Sequence, residues 1–599
     1  MSDGYWSRAT GRTLRRRGFI GALGVGGLGA AALAAGCGGS NNNKTSSQAT
    51  ATKAAGAGAA PAGATSVASS ATSAASRATA AVGAPVPAAG TGGSMRGHDN
   101  GDPASLDYIK TWSQRSLMYT AMVYPRLLKF DTSKPTIQPI DFLITNDLAT
   151  KMPEQPDSTT YIFKLNAMKW ENKAPLNGRA LTADDVVKNW DRFKTEHPSR
   201  SLLSDVAKVE AVDPSTVKFT LSKPLGPFVN HIGHQGVFYI QPPELFGTGK
   251  LEKDMWSGGP WTFKGYDVGS KLTFERNPEY WLKDRPVLKE YIYQLIPDTS
   301  TTISALRSKQ IDTLTWTAVV TPNDVASLKK DLPDATFLPY SSQGNGWFGM
   351  DLKDPKFQDK RVRQAISMTL NRDDLVKVGQ EGQWALPWGV LSQFYPDPKK
   401  NEFPNAKYYQ NNPKDAKALF DASGVKPDAN YDLIASAVWT PTQLQQAQLM
   451  QEQIKTLGFN TTIKVKEFAE FYALTTVAGT WSGGFANSAN LVGADPNEYL
   501  SIFWQPDSPR LISPGLKDIL AQDKELLDLI EGQKRELDVT KRKGILKDVA
   551  NVMADRMYNI PTVVGVFYHT HRSNVKNMNW IFTYAQGGEY LLDSYVQGT

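Results

Sequence analysis

The chain has 599 residues, of which 41% are hydrophobic, 10% aromatic and 21% charged; this excludes wholesale disorder and leaves room for several cores. Its formal charge of +7 is concentrated at the start, where residues 1–36 hold Arg8, Arg12, Arg15, Arg16 and Arg17 against Asp3. About +3 remains on the rest, with no basic stripe that would suit nucleic acid. One cysteine, Cys37, excludes an internal disulfide framework and any cysteine-based zinc site.

Residues 1–36 read as an export signal. Arg15-Arg16-Arg17 precedes an apolar, Gly/Ala-rich run from Phe19 to Leu33, too short for an ordinary membrane span. Arg16-Arg17-x-Phe-Ile resembles the twin-arginine export motif, with Arg15 where Ser or Thr is usual. Ala34-Ala35-Gly36-Cys37 resembles a bacterial lipobox, which implies lipidation of Cys37 and a membrane anchor without a spanning helix. Gly24-x-Gly26-x-x-Gly29 matches a dinucleotide fingerprint but lies inside this signal, with no strand before it. Residues 37–94 are nearly all Ala, Gly, Ser and Thr beyond the cysteine and cannot bury a core. As a flexible coil they would reach roughly 40 Å, which suits a tether. The folded part is expected from Met95.

From there the pattern is mixed α and β. Tyr161, Phe163 and Leu165 alternate, as do Val217, Phe219 and Leu221, and again Leu272 and Phe274, predicting half-buried strands. Thr182-Ala183-Asp184-Asp185 predicts a capped helix with Val186, Trp190 and Phe193 on one face. A second helix is expected between the cap Asn412, followed by Pro413, and the stop Gly424. Ala447, Met450, Ile454 and Leu457 form an apolar stripe closed by Gly458, with a strand predicted at once over Thr461–Val465. A helix running directly into a strand points to an α/β lobe. No internal repeat is present.

Catalytic motifs are missing from the sequence: there is no Gly-x-Ser-x-Gly elbow, no phosphate-binding loop and no His-Glu-x-x-His. Two histidine pairs, His231/His234 and His569/His571, have no carboxylate nearby in sequence, so no metal or cofactor is expected. Asp184/Asp185 and Asp373/Asp374 each fall in the first turn of a predicted helix, where they complement its dipole.

An ordered series of segments resembles family 5 of the extracellular solute-binding proteins, the dipeptide- and oligopeptide-binding components of ATP-driven importers. It begins with Tyr161-Ile-Phe-Lys-Leu-Asn-Ala-Met-Lys-Trp170 and Leu181-Thr-Ala-Asp-Asp-Val186. Val212–Leu221, Gly258–Gly265 with Glu275-Arg-Asn-Pro-Glu-Tyr-Trp281, and Ser304–Asp312 follow. Phe357-Gln-Asp-Lys-Arg-Val-Arg-Gln-Ala-Ile366 and Asn371-Arg-Asp-Asp-Leu375 continue it, and Asn412–Gly424 and Gln451–Phe459 complete it. Two departures stand out: Asn172–Asn177 where the family has a short turn, and Gly258-Gly259 for Gly-Thr-Gly. The resemblance covers about residues 95–599. It implies an α/β, two-lobed periplasmic-binding-protein fold with an extra N-terminal subdomain and a closing hinge. Lobe I would be 95–335 plus 556–599, and lobe II, inserted in it, 336–555. The segments themselves read as structural: Asn277-Pro278 a turn, Asp359 a helix cap, Arg361 and Arg363 ion pairs.

The implied function is the substrate-binding component of an ABC importer, with a small-molecule or peptide ligand, permease and ATPase partners, a lipid anchor and a monomeric state. An extracytoplasmic sensor or chaperone-like module, or a hydrolase on a similar scaffold, is the alternative. In peptide-binding members a Trp-x-x-Asp segment of lobe II supplies a carboxylate to the peptide α-ammonium; the matching stretch is Trp481-Ser482-Gly483-Gly484. A buried ammonium without a counter-charge is costly. Either Asp495 takes over the role or the ligand has no such ammonium. Trp347, Trp384, Trp388 and Asn345 are further candidate contacts, since aromatic walls suit peptide side chains and sugars alike.

Overall fold

In the computed structural model the alternations at Tyr161, Val217 and Leu272 become the strands Thr160–Lys164, Thr216–Leu221 and Lys271–Arg276. The structure describes residues 86–598 except 112, 133–143, 319, 342–343, 379–381, 385–395, 428, 437–441, 492–494, 509, 511 and 581–587. All of these belong to the second of two units of the chain, Ala81–Thr599; the first, Met1–Ala80, lies outside the described residues, as do the export motif and Cys37. The folded part begins a little before Met95. Gly90 and Gly92 already donate their N–H groups to the carbonyls of Pro286 and Val287, and a strand starts at Ser94.

Helix ends form where local chemistry places them. Thr182 and Asp185 make a reciprocal capping box on Ala183–Glu196, whose Val186, Trp190 and Phe193 are buried. Asn412 accepts from the Asp415 N–H at the start of Pro413–Ser423, and Gly424 ends that helix. Gln443–Lys455 leads into the strand Asn460–Val465. Asp359 caps Lys360–Thr369 through the Arg361 N–H, and Asp373 and Asp374 lie in the first turn of Arg372–Val378. The Asn277 side chain accepts from the Glu279 N–H, the geometry of a turn.

Two large hydrophobic cores organise the described chain. The first gathers residues from Met95 to Leu295, adds Tyr340, and is completed by Val575, Met578, Trp580 and residues up to Val596. It contains a four-stranded sheet in the order Ser94–Asp99, Glu290–Leu295, Lys271–Arg276, Trp261–Asp267. The second core runs from Trp347 to Val564. Its five-stranded sheet has the order Asn460–Val465, Asn430–Ala435, Gly484–Leu491, Gly344–Met350, Asn559–Pro561. A small third core spans Ile303–Leu328, with Phe337 and Tyr568 packed against it. Met557, Tyr558, Ile560, Val563 and Val564 belong to the second core although the sequence reading ends lobe II at 555. The strand Asn559–Pro561 pairs with Gly344–Met350 and is held there before the chain turns back.

Two stretches of chain pass between the large cores, side by side. The outgoing one consists of Thr336–Ser341 and Gly344–Met350, the returning one of Asn559–Pro561 and Val563–His571. They are antiparallel throughout: Thr336 faces His571, Ser341 faces Val566, and Trp347 faces Pro561. The Thr562 N–H donates to the Gly346 carbonyl between them at 2.8 Å. We call these the crossover strands.

Candidate ligand site

The crossover strands and the strand ends beside them gather three of the candidate ligand residues. Asn345 faces Asn490, Trp347 faces Ser488 on one side and Pro561 on the other, and Trp384 faces Val563. For Asn345 and Trp384 the backbone alone is described, and Trp388 lies outside the described residues. The Trp347 ring is fully buried in the second core. On the first-core side of the same crossover, the Trp580 ring stacks on His569 at 4.4 Å and meets Tyr340 at 4.7 Å.

Trp481 is elsewhere. The strand Gly484–Leu491 runs antiparallel to Gly344–Met350, with Leu491 facing Gly344 at the crossover end and Phe485 facing Met350 at the other. At about 3.3 Å per residue, the start of this strand is roughly 23 Å from its crossover end. Trp481 precedes that start, is 2% exposed, and donates its indole N–H to the Ile512 carbonyl at 3.4 Å. Gly484 opens the strand with φ +136°, and a Cβ there would lie 2.7 Å from the Tyr431 Cβ. An acidic side chain does not fit at this position.

Asp495 is fully buried and already engaged. It caps Pro496–Phe503 by accepting from the Asn497 N–H at 2.8 Å. Arg542 reaches it from the helix Val539–Arg556 in a fork, at 2.5 and 2.8 Å. Burial by itself would raise this carboxyl, but the Arg542 charge and its hydrogen bonds hold it down at about 2. Asn230, from the first core's side, donates to the same carboxylate at 2.9 Å.

Asp495 is therefore part of a polar cluster in which both halves take part. Next to it, His231 Nδ1 lies 3.3 Å from Glu498 Oε1, and His234 Nε2 lies 3.9 Å from Glu498 Oε2. The Asn497 amide is 3.3 Å from His231 Nε2, and Gln533 donates to Asn497 at 2.9 Å. Burial lowers the His234 imidazole, opposed by the Glu498 charge. The carboxylate that sequence did not place beside the His231/His234 pair thus comes from a segment more than two hundred residues away. Among the described residues no group of three or more His, Cys, Asp or Glu side chains is arranged to hold a metal ion. His569 and His571 share a face of their strand, with ring centroids 5.5 Å apart. Sequence reasoning missed Arg542, Asn230, Glu498 and Gln533, because each is an ordinary polar residue on a helix or beside one until the fold brings it to its partner.

The fold is shared with known proteins. The family model for bacterial extracellular solute-binding proteins, family 5 (middle), matches residues 144–509. The dipeptide-binding protein of Escherichia coli K12 is 23% identical over 486 residues, covering 76% of this chain and 86% of that protein. Among solved structures, an ABC transporter substrate-binding protein from Listeria monocytogenes superposes with a TM-score of 0.70 at 21% identity. It covers 84% of this chain and 99% of its own. A periplasmic binding protein from Helicobacter pylori, in complex with the peptide STSA, gives 0.67 at 20% identity, covering 85% and 99%. The fold is the two-lobed, mixed α/β fold of these binding proteins. This chain belongs to family 5 of the bacterial extracellular solute-binding proteins.

Proposed function

We propose that the chain captures a peptide-like or other small solute outside the cytoplasmic membrane and hands it to the permease of an ABC importer. The observation that carries this reading is the family match over residues 144–509, which takes in most of both large cores and the outgoing crossover. The two cores are the lobes in this reading, and the paired crossover strands are the hinge between them. The solute lies between the lobes beside the crossover, where the backbone register puts Asn345 and Trp384. Trp347 supports that wall from behind, while Trp481 is buried away from the crossover and the Asp495 carboxylate is committed to Arg542. Neither position 484 nor Asp495 then holds a ligand ammonium, and ordinary free-amine dipeptides gain nothing from them.

The protein acts as a monomeric binding protein without turnover. It is exported by the Arg16-Arg17 signal, lipidated at Cys37 and tethered by the Ala/Gly/Ser/Thr segment to the outer face of the membrane. Among the described residues no helix is long and apolar enough to cross a membrane. Mass spectrometry of solute released from protein purified out of its native membrane tests the reading. A peptide or peptide-like molecule released intact is the expected result. A sugar alone would move the reading to its other small solutes, and a solute hydrolysed during incubation would overturn it.

A further inference from the structure

The two lobes meet a second time, through residues that neither crossover strand carries. The Gly226 N–H donates to the Lys534 carbonyl at 2.9 Å, so backbone touches backbone across the seam. A Cβ at position 226 would overlap the Glu536 carbonyl oxygen. Next to this contact Asp205 accepts from Arg535 at 2.7 Å and from Lys534 at 3.0 Å, and Arg535 also donates to the Pro224 carbonyl at 3.0 Å. Deeper in, Asn230 reaches Asp495 and His231 meets Glu498 and Asn497. Every one of these contacts is polar. The apolar residues on either side, Leu225 and Phe228 against Leu526 and Ile530, belong to two separate cores that do not merge.

A permanent interface between two halves of a chain gains most from fused apolar area, whereas a polar seam exchanges its bonds for water at little net cost. The outer group keeps an edge in water, with Asp205, Lys534 and Arg535 side chains 11%, 16% and 22% exposed. We propose that this seam is a closing latch, made when the lobes come together and rehydrated when they part, with Gly226 as the clearance that lets the two backbones seat. The proposal rests on the reading of the lobes as a closing pair. It adds that the ligand-free protein already populates the closed state, because the latch itself favours it; a solute then needs less differential affinity to complete the shift.

The test measures the distance between lobes in the full chain without solute. Spin labels go on cysteines introduced at the exposed Val268 and Val465, one on each lobe and neither in the seam, in a Cys37→Ser background. The expected distribution has two populations, one at the separation seen here and one longer. Gly226→Val should abolish the short one by wedging the seam. Asp205→Asn, which adds no bulk, should lower the closed-to-open ratio roughly 3- to 10-fold, the size of a part-exposed ion pair with its hydrogen bonds. Unaltered thermal unfolding of Asp205→Asn separates opening from loss of fold. Equal short populations in the wild type and both variants, beside a longer one, would overturn the latch and leave the hinge standing. A wild type wholly at the longer separation would also overturn it. A single short distance in all three, Gly226→Val included, would make the seam permanent and remove the closing reading with it.

Discussion

The two lobes differ in the cationic side chains they bury: both bury arginines, Arg126 and Arg192 in the first and Arg363 and Arg372 in the second, but only the first buries histidines. All six histidines, His98, His197, His231, His234, His569 and His571, are buried on the first lobe's side, and residues 344–564 contain none. Burial pushes His98 and His571 down to about 4 and His197 down to about 3, so they are neutral in the folded chain at neutral pH. The second lobe buries arginines and no histidine, and these arginines stay charged. Arg363 is held by the carbonyls of Arg556, Phe357 and Gln358, and Arg372 by those of Pro561, Ser367 and Tyr409. Burial lowers both, to about 10, which still leaves the guanidinium protonated across the physiological range. The first lobe therefore depends on protons staying off its histidines, and the second has no histidine to protonate.

Acid should separate them first and most strongly. A histidine whose folded pKa is depressed adds stability that is complete above its unfolded value of about 6.5 and is lost as pH falls toward the folded value. Each of His98, His197 and His571 then removes up to about 1.4 kcal/mol per pH unit below 6.5. Hydrogen exchange followed from pH 7 to 4 should show the first lobe opening while residues 344–564 remain protected; simultaneous opening would erase the contrast. Arg372→Ala attacks the other side. It strands the Pro561 and Tyr409 carbonyls in the core and should cost about 3–5 kcal/mol in urea unfolding of the second lobe. Arg372→Lys should recover little, because one ammonium cannot reach the same set of carbonyls.

Asp495→Asn should follow at about 3 kcal/mol, since it leaves the Arg542 guanidinium buried beside a neutral amide. Arg542→Met added to Asp495→Asn should recover part of that loss, and strict additivity would show the two do not form one unit. The smallest effect belongs to the surface: Lys417→Ala breaks an exposed i,i+4 pair with Asp421 and should stay within about 0.5 kcal/mol. A larger loss there would mean that helix Pro413–Ser423 carries more of the lobe than its packing indicates.

The sequence was legible where the cause is local. The capping box at Thr182, the Asn412–Gly424 helix and the helix cap at Asp359 depend on neighbours within a few residues, and each is found where expected. The two-lobed plan was legible through the order of segments, although the core boundary moved because Met557–Val564 is held by strand pairing that no local pattern reveals. The site was far less legible. Trp481 follows Thr480 and looks like an aromatic wall, yet the register of Gly484–Leu491 puts it at the strand end away from the crossover. Asp495 before Pro496 carries the same cap signature as Asn412 before Pro413, but its charge partner Arg542 lies mid-helix and 47 residues on. The Asp205 and Gly226 partners are some three hundred residues away, beyond the reach of any periodicity.

The central claim is that solute capture closes the two lobes on one another. Small-angle scattering of the full chain tests it most directly, recorded without solute and with a peptide that calorimetry has shown to saturate the site. The radius of gyration should fall on binding, because a ligand touching both lobes favours the closed state by its differential affinity for it. A radius that stays unchanged at saturation would contradict the claim.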